Sequence, residues 1–309
     1  MDADLDAPRL VVVGGVSIDR TSTPQRCGVQ VLCGGGLYAA LAVATRTTVT
    51  LAGICSDHPL TAARPWRAAV DDAGPVTLPG RRLPFDISYD SGGRATYRTD
   101  DAGDERYLRP GQVPSRYRTA AGIHLCALGN PVVQLRYATA LRAMAARQAR
   151  ISAGTVLARI VADRRSVRQM LDACDVFVCS ASEADVLAGV GQLVDALAWL
   201  TRPVGGSGRA VAVTDVDRGC YVVASEVARL VLTFPRPAVD PTGAGEALAG
   251  ALAACLAEGD DLVTAAVYAC AVASLVWEGF GPAALLHPNQ QVLKTRVAAL
   301  QRSVVEVGS

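Results

Sequence analysis

The stretch Val239-Asp240-Pro241-Thr242-Gly243-Ala244-Gly245-Glu246-Ala247-Leu248 joins a polar turn to a helix rich in alanine and leucine. Its glycines leave the backbone N–H groups of the first helical turn unobstructed. Such unpaired amides, at the positive end of the helix dipole, can hold a phosphate or the charge that develops during phosphoryl transfer. Glu246, in the same turn, can take a proton from an incoming hydroxyl. The stretch therefore predicts an anion site with a base beside it, although Gly243 and Glu246 also fit an ordinary helix cap without catalysis.

Before this turn, short apolar runs alternate with helix-length segments. Residues 10–15 form a continuous apolar run ending in glycines, which is typical of a strand buried on both faces of a parallel sheet. Similar runs are 49–54, 123–128, 176–179, 210–213 and 221–224, and the helical segments between them include 37–45, 132–148 and 167–173. This alternation predicts an α/β fold, with a doubly wound, mostly parallel sheet flanked by helices.

Two further segments depart from the alternation. Residues 83–109 contain two alternating runs separated by Ser91-Gly92-Gly93, which predicts a β-hairpin that serves as a lid or as a surface flap. Residues 20–32 are a further candidate part of this lid. From Asp240 onward the pattern predicts consecutive helices over 243–257, 262–277 and 289–305. We therefore expect residues 1–309 to form one α/β domain with a small β lid.

Charge and composition exclude several classes of protein. Thirty basic and 29 acidic residues leave a formal charge of +1, so we expect no nucleic-acid partner. The only lysine is Lys294, which follows no glycine loop and lies on no predicted strand. A Walker P-loop and a protein-kinase core both need a lysine at the phosphates, so both classes are excluded.

The cysteine pattern and the apolar stretches indicate the cellular compartment of the protein. Nine cysteines are an odd number, include no CxxC pair and lie mostly in apolar runs, which is typical of buried thiols in a reducing cytosol. The acidic start of the chain does not resemble a signal peptide. The uncharged stretch 262–277 has 16 residues, fewer than the roughly 18 to 20 that span a bilayer. These patterns predict a cytoplasmic protein without a membrane partner, with 262–277 as a buried helix.

The segment Asp240-Pro241-Thr242-Gly243-Ala244-Gly245, followed by an acidic residue and a helix of small residues, resembles the signature of the ribokinase-like, or PfkB, family of sugar, nucleoside and polyol kinases. Other segments follow the order of that family. They are Gly15-Val16-Ser17-Ile18-Asp19, Gly34-Gly35-Gly36-Leu37-Tyr38, the Ser180-Ala181-Ser182-Glu183 element after a strand, and Thr214 followed by Gly219. The resemblance covers nearly the whole chain.

The resemblance implies transfer of the γ-phosphoryl group of ATP to a hydroxyl of a small polyhydroxylated substrate, with Mg²⁺ as cofactor. It implies that Gly243, Ala244 and Gly245 supply amides to the phosphoryl group and that Glu246 is the base. Asp19, Gly34, Gly35 and Tyr38 would contact the substrate. Ser180, Glu183, Thr214, Gly219, Asp240 and Thr242 would lie at the nucleotide and its ions, with Glu183 at the metal. A monovalent cation near Asp240 and Thr242 is a further expectation from the resemblance. Independently of it, a homodimer could form through the sheet of the hairpin.

Four positions depart from the family pattern. Glu246 replaces the usual Asp, Ser180 replaces the usual Asn, Val216 replaces a loop glycine, and Tyr38 lies in a helix where many members place an Asn. One extra methylene at the base moves a carboxylate by ~1 to 1.5 Å, which can reduce a rate on the order of 100-fold. Two alternatives therefore stay open: a relative that binds a sugar or nucleotide without efficient turnover, and a pocket that serves another reaction of a phosphorylated small molecule.

Overall fold

The computed structural model describes residues 9–77, 85–90, 95–98, 109–113, 119–146, 148–202, 209–224, 227–236 and 239–307. The described strands are β1 (Leu10–Thr23), β2 (Arg26–Cys33), β3 (Val49–Cys55), β4 (Asp71–Thr77), β5 (Asp86–Tyr89), β6 (Ala95–Arg98), β7 (Gly122–Leu125), β8 (Arg150–Gly154), β9 (Val176–Ser180), β10 (Ala210–Asp215), β11 (Gly219–Ala224), β12 (Val227–Leu232) and β13 (Val304–Val307). The described α-helices are α1 (Gly35–Ala44), α2 (Pro59–Ala62), α3 (Pro131–Met144), α4 (Leu157–Ala173), α5 (Ala181–Ala188), α6 (Leu193–Thr201), α7 (Ala244–Glu258), α8 (Leu262–Val276), α9 (Ala283–Leu286) and α10 (Gln290–Gln301).

The main sheet has the strand order β13-β12-β11-β10-β9-β8-β7-β1-β3-β4. The seven strands from β10 to β4 in this order pair in parallel, and β11, β12 and β13 continue the sheet antiparallel. Parallel pairing brings the carboxyl ends of β1, β7, β8, β9 and β10 to one edge, where α/β sheets bind ligands. The predicted doubly wound, mostly parallel sheet is confirmed.

Helices cover both faces of this sheet. Helices α1, α7, α8 and α10 pack on one face, and α3, α4, α5 and α6 pack on the other. Strand β1 shows why both faces bury apolar side chains: Leu10 and Val12 contribute to the first core, while Val11 and Val13 contribute to the second. Because successive side chains of a strand point to opposite faces, a continuous apolar run is required at this position.

Four strands form the lid beside the main sheet. Strand β1 continues beyond the main sheet and pairs antiparallel with β2 and parallel with β5, and β5 pairs antiparallel with β6. In the order β2-β1-β5-β6, the inner face of this lid is turned toward the carboxyl edge of the main sheet. The remaining residues of the predicted lid segment, 83–84, 91–94 and 99–108, lie outside the described residues. The assignment of all 309 residues to one domain stays a prediction.

The structure corrects the predicted end of the chain. The helix predicted over 289–305 ends at Gln301, and Val304–Val307 forms β13, which pairs antiparallel with β12. Consecutive β-branched residues favour a strand when a sheet edge is available to pair with them. The helix predicted over 132–148 likewise ends at Met144, and β8 follows it without having been predicted.

The apolar helices lie inside the molecule. Helix α8, predicted from its sequence as a buried helix, has ten buried residues among its 15. Among the described residues, no single helix has both the length and the apolar composition needed to cross a bilayer. The sharply bent pair α5 and α6 meets those two criteria only when its halves are taken together.

Candidate active site at the carboxyl edge of the sheet

The start of helix α7 forms the centre of the site. Gly243 is its N-cap, with φ 82°, and a Cβ added there would lie 2.4 Å from ring atoms of Tyr38. Both the positive φ and the ring contact therefore require glycine at this position. A Cβ added at Gly245 would meet no atom within 4 Å. The first turn of α7 is therefore open at Gly245, and no side chain described in the structure fills the space beside it.

Asp240 and Thr242 shape the turn that leads into α7. Asp240 is buried, and its Oδ1 accepts hydrogen bonds from the backbone N–H of Thr242 at 2.9 Å and from the Thr242 hydroxyl at 2.6 Å. The other carboxylate oxygen, Oδ2, is buried without a direct hydrogen-bond partner. Burial raises the pKa of Asp240, and hydrogen bonds from Thr242 and from the backbone N–H of Gly281 oppose that rise. Hydrogen bonds between Asp240 and Thr242 thus hold the turn together, and they engage only one of the two carboxylate oxygens of Asp240.

The glycines at the start of α1 allow β1, α1 and α7 to approach one another closely. Gly34 has φ 106°, and a Cβ added there would lie 2.4 Å from the carbonyl oxygen of Gly15. A Cβ at Gly35 would lie 3.3 Å from Cγ of Glu246. The absence of a side chain at Gly35 therefore makes the space in which the side chain of Glu246 lies.

Glu246 is half-buried and its side chain folds back toward its own backbone. Burial raises the pKa of Glu246, and a hydrogen bond from its own backbone N–H opposes that rise. The negative charge of Glu246 also contributes to the raised pKa values of Asp19 and Glu183. The carboxylate of Glu246 is therefore near enough to Asp19 and Glu183 for its charge to act on both. Folding back shortens the reach that the extra methylene of glutamate provides.

Asp19 lies on the inner face of the lid. It is 3% exposed, and its Oδ1 accepts a hydrogen bond from the backbone N–H of Phe85 at 3.2 Å. Burial raises the pKa of Asp19 to about 6, hydrogen bonds from Cys33, Ser17 and Phe85 oppose the rise, and the charge of Glu246 adds to it. A buried carboxylate beside a second carboxylate is suited to accept hydrogen bonds from ligand hydroxyls.

Tyr38, predicted to contact substrate, lies beneath the glycine turn. The side chain is only 1% exposed, and its ring packs against Gly243. Burial raises the pKa of the phenol, and the nearby Cys33 and Asp240 add to the rise. The structure therefore gives Tyr38 a packing role under the turn, while its contact with substrate stays a prediction.

Ser180 and Glu183 form a capping box at the start of α5. The Ser180 hydroxyl accepts from the Glu183 N–H at 3.3 Å, and Glu183 Oε2 accepts from the Ser180 N–H at 2.7 Å. Glu183 Oε1 accepts from the N–H of Leu157, the first residue of α4, at 3.0 Å. One carboxylate thus caps two helices, although α4 has no capping side chain of its own. Burial raises the pKa of Glu183, and the hydrogen bonds with Ser180 oppose that rise.

Thr214 and Gly219 lie at the next two strands along the same edge. Thr214 pairs with Ser180 across β9 and β10, and its hydroxyl donates to the carbonyl of Cys179 at 3.4 Å. Gly219 has φ 134°, and a Cβ there would lie 2.0 Å from the carbonyl oxygen of Val231. The packing of the strands is therefore sufficient to require glycine at position 219. Val216 lies in the turn between β10 and β11 and is 55% exposed.

Sequence reasoning missed two tyrosines of the lid. The Tyr89 hydroxyl lies 3.0 Å from the Thr242 hydroxyl. Tyr97 is 55% exposed, and desolvation and the nearby charge of Glu246 raise the pKa of its phenol. The alternation of the hairpin was the available signal, because it assigns both residues to one face.

Three other buried titratable groups have structural roles. His124 is buried beside Ser152, and burial lowers the pKa of its imidazole to about 4. Cys174 and Cys179 are buried thiols with raised pKa values, caused mainly by burial. Within the described ranges, no group of three or more His, Cys, Asp or Glu side chains could hold a metal ion by itself.

Comparisons with known proteins agree with this arrangement. The model of the pfkB family carbohydrate kinases matches residues 111–288. No curated protein matches the sequence significantly. Similar solved structures include an adenosine kinase from Sinorhizobium meliloti, with 15% identity and a TM-score of 0.77, covering 95% of this chain and 100% of that chain.

Two further similar structures contain nucleotide. A ribokinase from Cryptococcus neoformans var. grubii serotype A in complex with ADP is 18% identical, with a TM-score of 0.76 and coverage of 93% of this chain and 99% of that chain. An Escherichia coli protein assigned as a ribokinase II, in complex with ATP and Mg²⁺, is 16% identical, with a TM-score of 0.75 and coverage of 94% and 99%. At these identities the likeness shows the fold.

Proposed function

Because the chain belongs to the pfkB family of carbohydrate kinases, we propose that it transfers the γ-phosphoryl group of ATP to a hydroxyl of a small sugar, polyol or nucleoside. The observation that carries this proposal is the open first turn of α7. No atom lies within 4 Å of the position that a Cβ at Gly245 would take, and Glu246, in the same turn, is near enough for its charge to act on Asp19. Proteins of the same fold include an adenosine kinase and a ribokinase, which supports proposing both nucleosides and sugars as acceptors.

In the proposed reaction the residues of this chain position the reactants and move one proton. Asp19 accepts hydrogen bonds from hydroxyls of the acceptor and orients it. Glu246 takes the proton of the reacting hydroxyl, whose oxygen forms a bond to the γ-phosphorus as the bond to the ADP oxygen breaks. The amides of Gly243 and Gly245 stabilise the charge on the transferred group, whereas the N–H of Ala244 already donates to the carbonyl of Pro241 at 3.1 Å. A base with a raised pKa, as burial gives Glu246, is better matched to neutral pH.

The residues present fit Mg²⁺ as a cofactor that is bound with the nucleotide. Mg²⁺ sites in such enzymes use one or two carboxylates together with substrate phosphates, and Glu183 is a half-buried carboxylate at the edge of the sheet. Each of its oxygens accepts one backbone hydrogen bond, from Ser180 or from Leu157, and keeps a further lone pair for the ion or its water. When bound, the ion would neutralise charge on the phosphates. The E. coli structure with ATP and Mg²⁺ supports this requirement. The buried Asp240 Oδ2, which lacks a direct partner, fits a monovalent cation beside the turn.

The proposal is tested by ADP release from ATP and Mg²⁺ with a panel of sugars, polyols and nucleosides. We expect turnover with at least one acceptor and a fall of about 100-fold or more in Glu246→Gln, because removal of a general base costs about 10² to 10⁴ in rate. Glu246→Asp, which restores the family residue, should retain or increase activity.

Calorimetry distinguishes loss of chemistry from loss of binding. Glu246→Gln should bind Mg·ADP as the wild type does, since the nucleotide residues are unchanged. Equal ADP release by wild type and Glu246→Gln would refute the proposal. Binding of nucleotide or sugar by a wild type that shows no turnover would instead identify the protein as a non-catalytic member of its family.

A further inference from the structure

Strand register places two tyrosines of the lid above the start of α7. Thr21 pairs with Ile87, and Ile87 pairs with Tyr97. Paired residues share a face of a sheet, and so do residues two apart along a strand. Tyr89 and Tyr97 are therefore on the same face as Asp19, which is the buried, inner face of the lid.

One of these tyrosines is hydrogen-bonded to the turn that carries the glycines. The Tyr89 hydroxyl lies 3.0 Å from Thr242 Oγ1, although 153 residues separate the two in sequence. Thr242 Oγ1 lies 2.6 Å from Asp240 Oδ1, and an ionised carboxylate only accepts hydrogen bonds. The Thr242 hydroxyl therefore lies between the oxygen atoms of Tyr89 and Asp240, and it joins the lid to the turn.

The turn that Tyr89 reaches is held on two other sides. Asp240 holds Thr242 through its backbone and its side chain, and the ring of Tyr38 lies under Gly243. The bond from Tyr89 comes from the third side, the lid. Small displacements at such a place matter, because a shift of about 1 Å in a reacting group can cost on the order of 100-fold in rate.

We propose that Tyr89 is a positioning residue whose hydroxyl ties lid strand β5 to the turn 240–243, so that the lid and the amides of α7 take up a fixed relative position. Its catalytic consequence rests on the function proposed above. Tyr89 acts through Thr242, because its hydroxyl is already engaged there. Tyr97 is the diagonal neighbour of Tyr89 on the same face of strands β5 and β6.

The kinetic test compares Tyr89→Phe with Tyr268→Phe. Each change removes one hydrogen-bonded hydroxyl, but Tyr268 bonds Thr45 and lies outside the site. We expect Tyr89→Phe to lower kcat/KM for the acceptor about three- to tenfold, the range for loss of one neutral hydrogen bond. Affinity for Mg·ADP should change by less than about twofold. In a Thr242→Val background, Tyr89→Phe should have no additional effect, because Tyr89 acts through the Thr242 hydroxyl.

A second measurement needs no ligand and no activity. Amide hydrogen exchange of 86–89, 95–98 and 242–245 should be faster in Tyr89→Phe than in the wild type and unchanged in Tyr268→Phe. Exchange in Tyr89→Phe that matches the wild type would overturn the proposal. If amide exchange is faster in Tyr89→Phe but the wild type has no kinase activity, the hydrogen bond between lid and turn is supported and only the proposed function fails.

Discussion

At the scale of single residues, the site depends on carboxylates whose pKa values are raised by burial. Asp19, Glu183, Asp240 and Glu246 all show this direction, and the charge of Glu246 adds to the rise for Asp19 and Glu183. Their desolvation costs stability, which proteins accept where the groups serve a ligand. The side chain of Glu246 lies over Gly35, so the larger base is accommodated by an existing glycine.

The raised pKa of Asp19 predicts a dependence of stability on pH. Between about pH 4 and pH 6 the folded protein keeps the proton of Asp19, whereas the unfolded chain has lost it, so this carboxyl stabilises the fold less as pH rises. A shift from 3.8 to about 6 corresponds to roughly 3 kcal/mol. Urea unfolding at pH 4 and pH 7 should show Asp19→Asn gaining up to about that amount relative to the wild type. A difference that does not change with pH would contradict the raised pKa.

At the scale of elements, helices α1 and α7 follow the two glycine turns of the site and pack with little space between them. A Cβ added at Gly250 of α7 would lie 2.3 Å from the carbonyl oxygen of Ala39 in α1. Gly34 and Gly243 are the N-caps of these two helices. The separation of the helices therefore sets the distance between the two glycine turns. Close packing of the helices is therefore a condition for the geometry of the cleft.

Two glycines of α7 should respond differently to alanine. Gly250→Ala should destabilise the protein by about 1 to 3 kcal/mol, because the new methyl group meets backbone that cannot move aside. Gly245→Ala meets no atom, so it should leave stability unchanged or raise it by about 0.5 to 1 kcal/mol. The same methyl group enters the space assigned to the phosphoryl group and should reduce turnover at least tenfold. Denaturant unfolding and ADP release test both variants, and full activity in Gly245→Ala would argue against an anion site there.

At the scale of the whole molecule, the sheet and the lid enclose the cleft from opposite sides. The carboxyl edge of the sheet contributes Ser180 and Thr214, and the lid contributes Asp19 and Tyr89. The described part of the chain contains no cluster of side chains that would hold a metal ion without a substrate. A divalent ion is therefore expected to arrive with the nucleotide.

This expectation predicts different effects of chelation on activity and on stability. EDTA should abolish ADP release, and excess Mg²⁺ should restore it. The thermal midpoint of the ligand-free protein should not change with EDTA, because no group of side chains in the described ranges would hold a metal ion by itself. Addition of Mg·ADP should raise that midpoint by mass action, since it binds the folded protein. A fall in the ligand-free midpoint on chelation would instead reveal a structural metal.

The sequence by itself determined the α/β class, the glycine turn at the start of α7 and the family to which the chain is similar. These features are local: the apolar run at 10–15 and the segment from Asp240 to Glu246 each require only neighbouring residues to be interpreted. Helix starts and buried strands depend on short-range backbone preferences and on periodicity, which the order of residues contains directly.

The tertiary structure alone decided how the site is assembled. It placed Tyr38 beneath Gly243, set Glu183 as the cap of α4, bonded Tyr89 to Thr242 and paired the last strand with β12. Each of these contacts joins residues of separate elements, and each depends on strand register or helix packing. Register and packing are settled by burial over the whole core, so no local pattern in the chain specifies them.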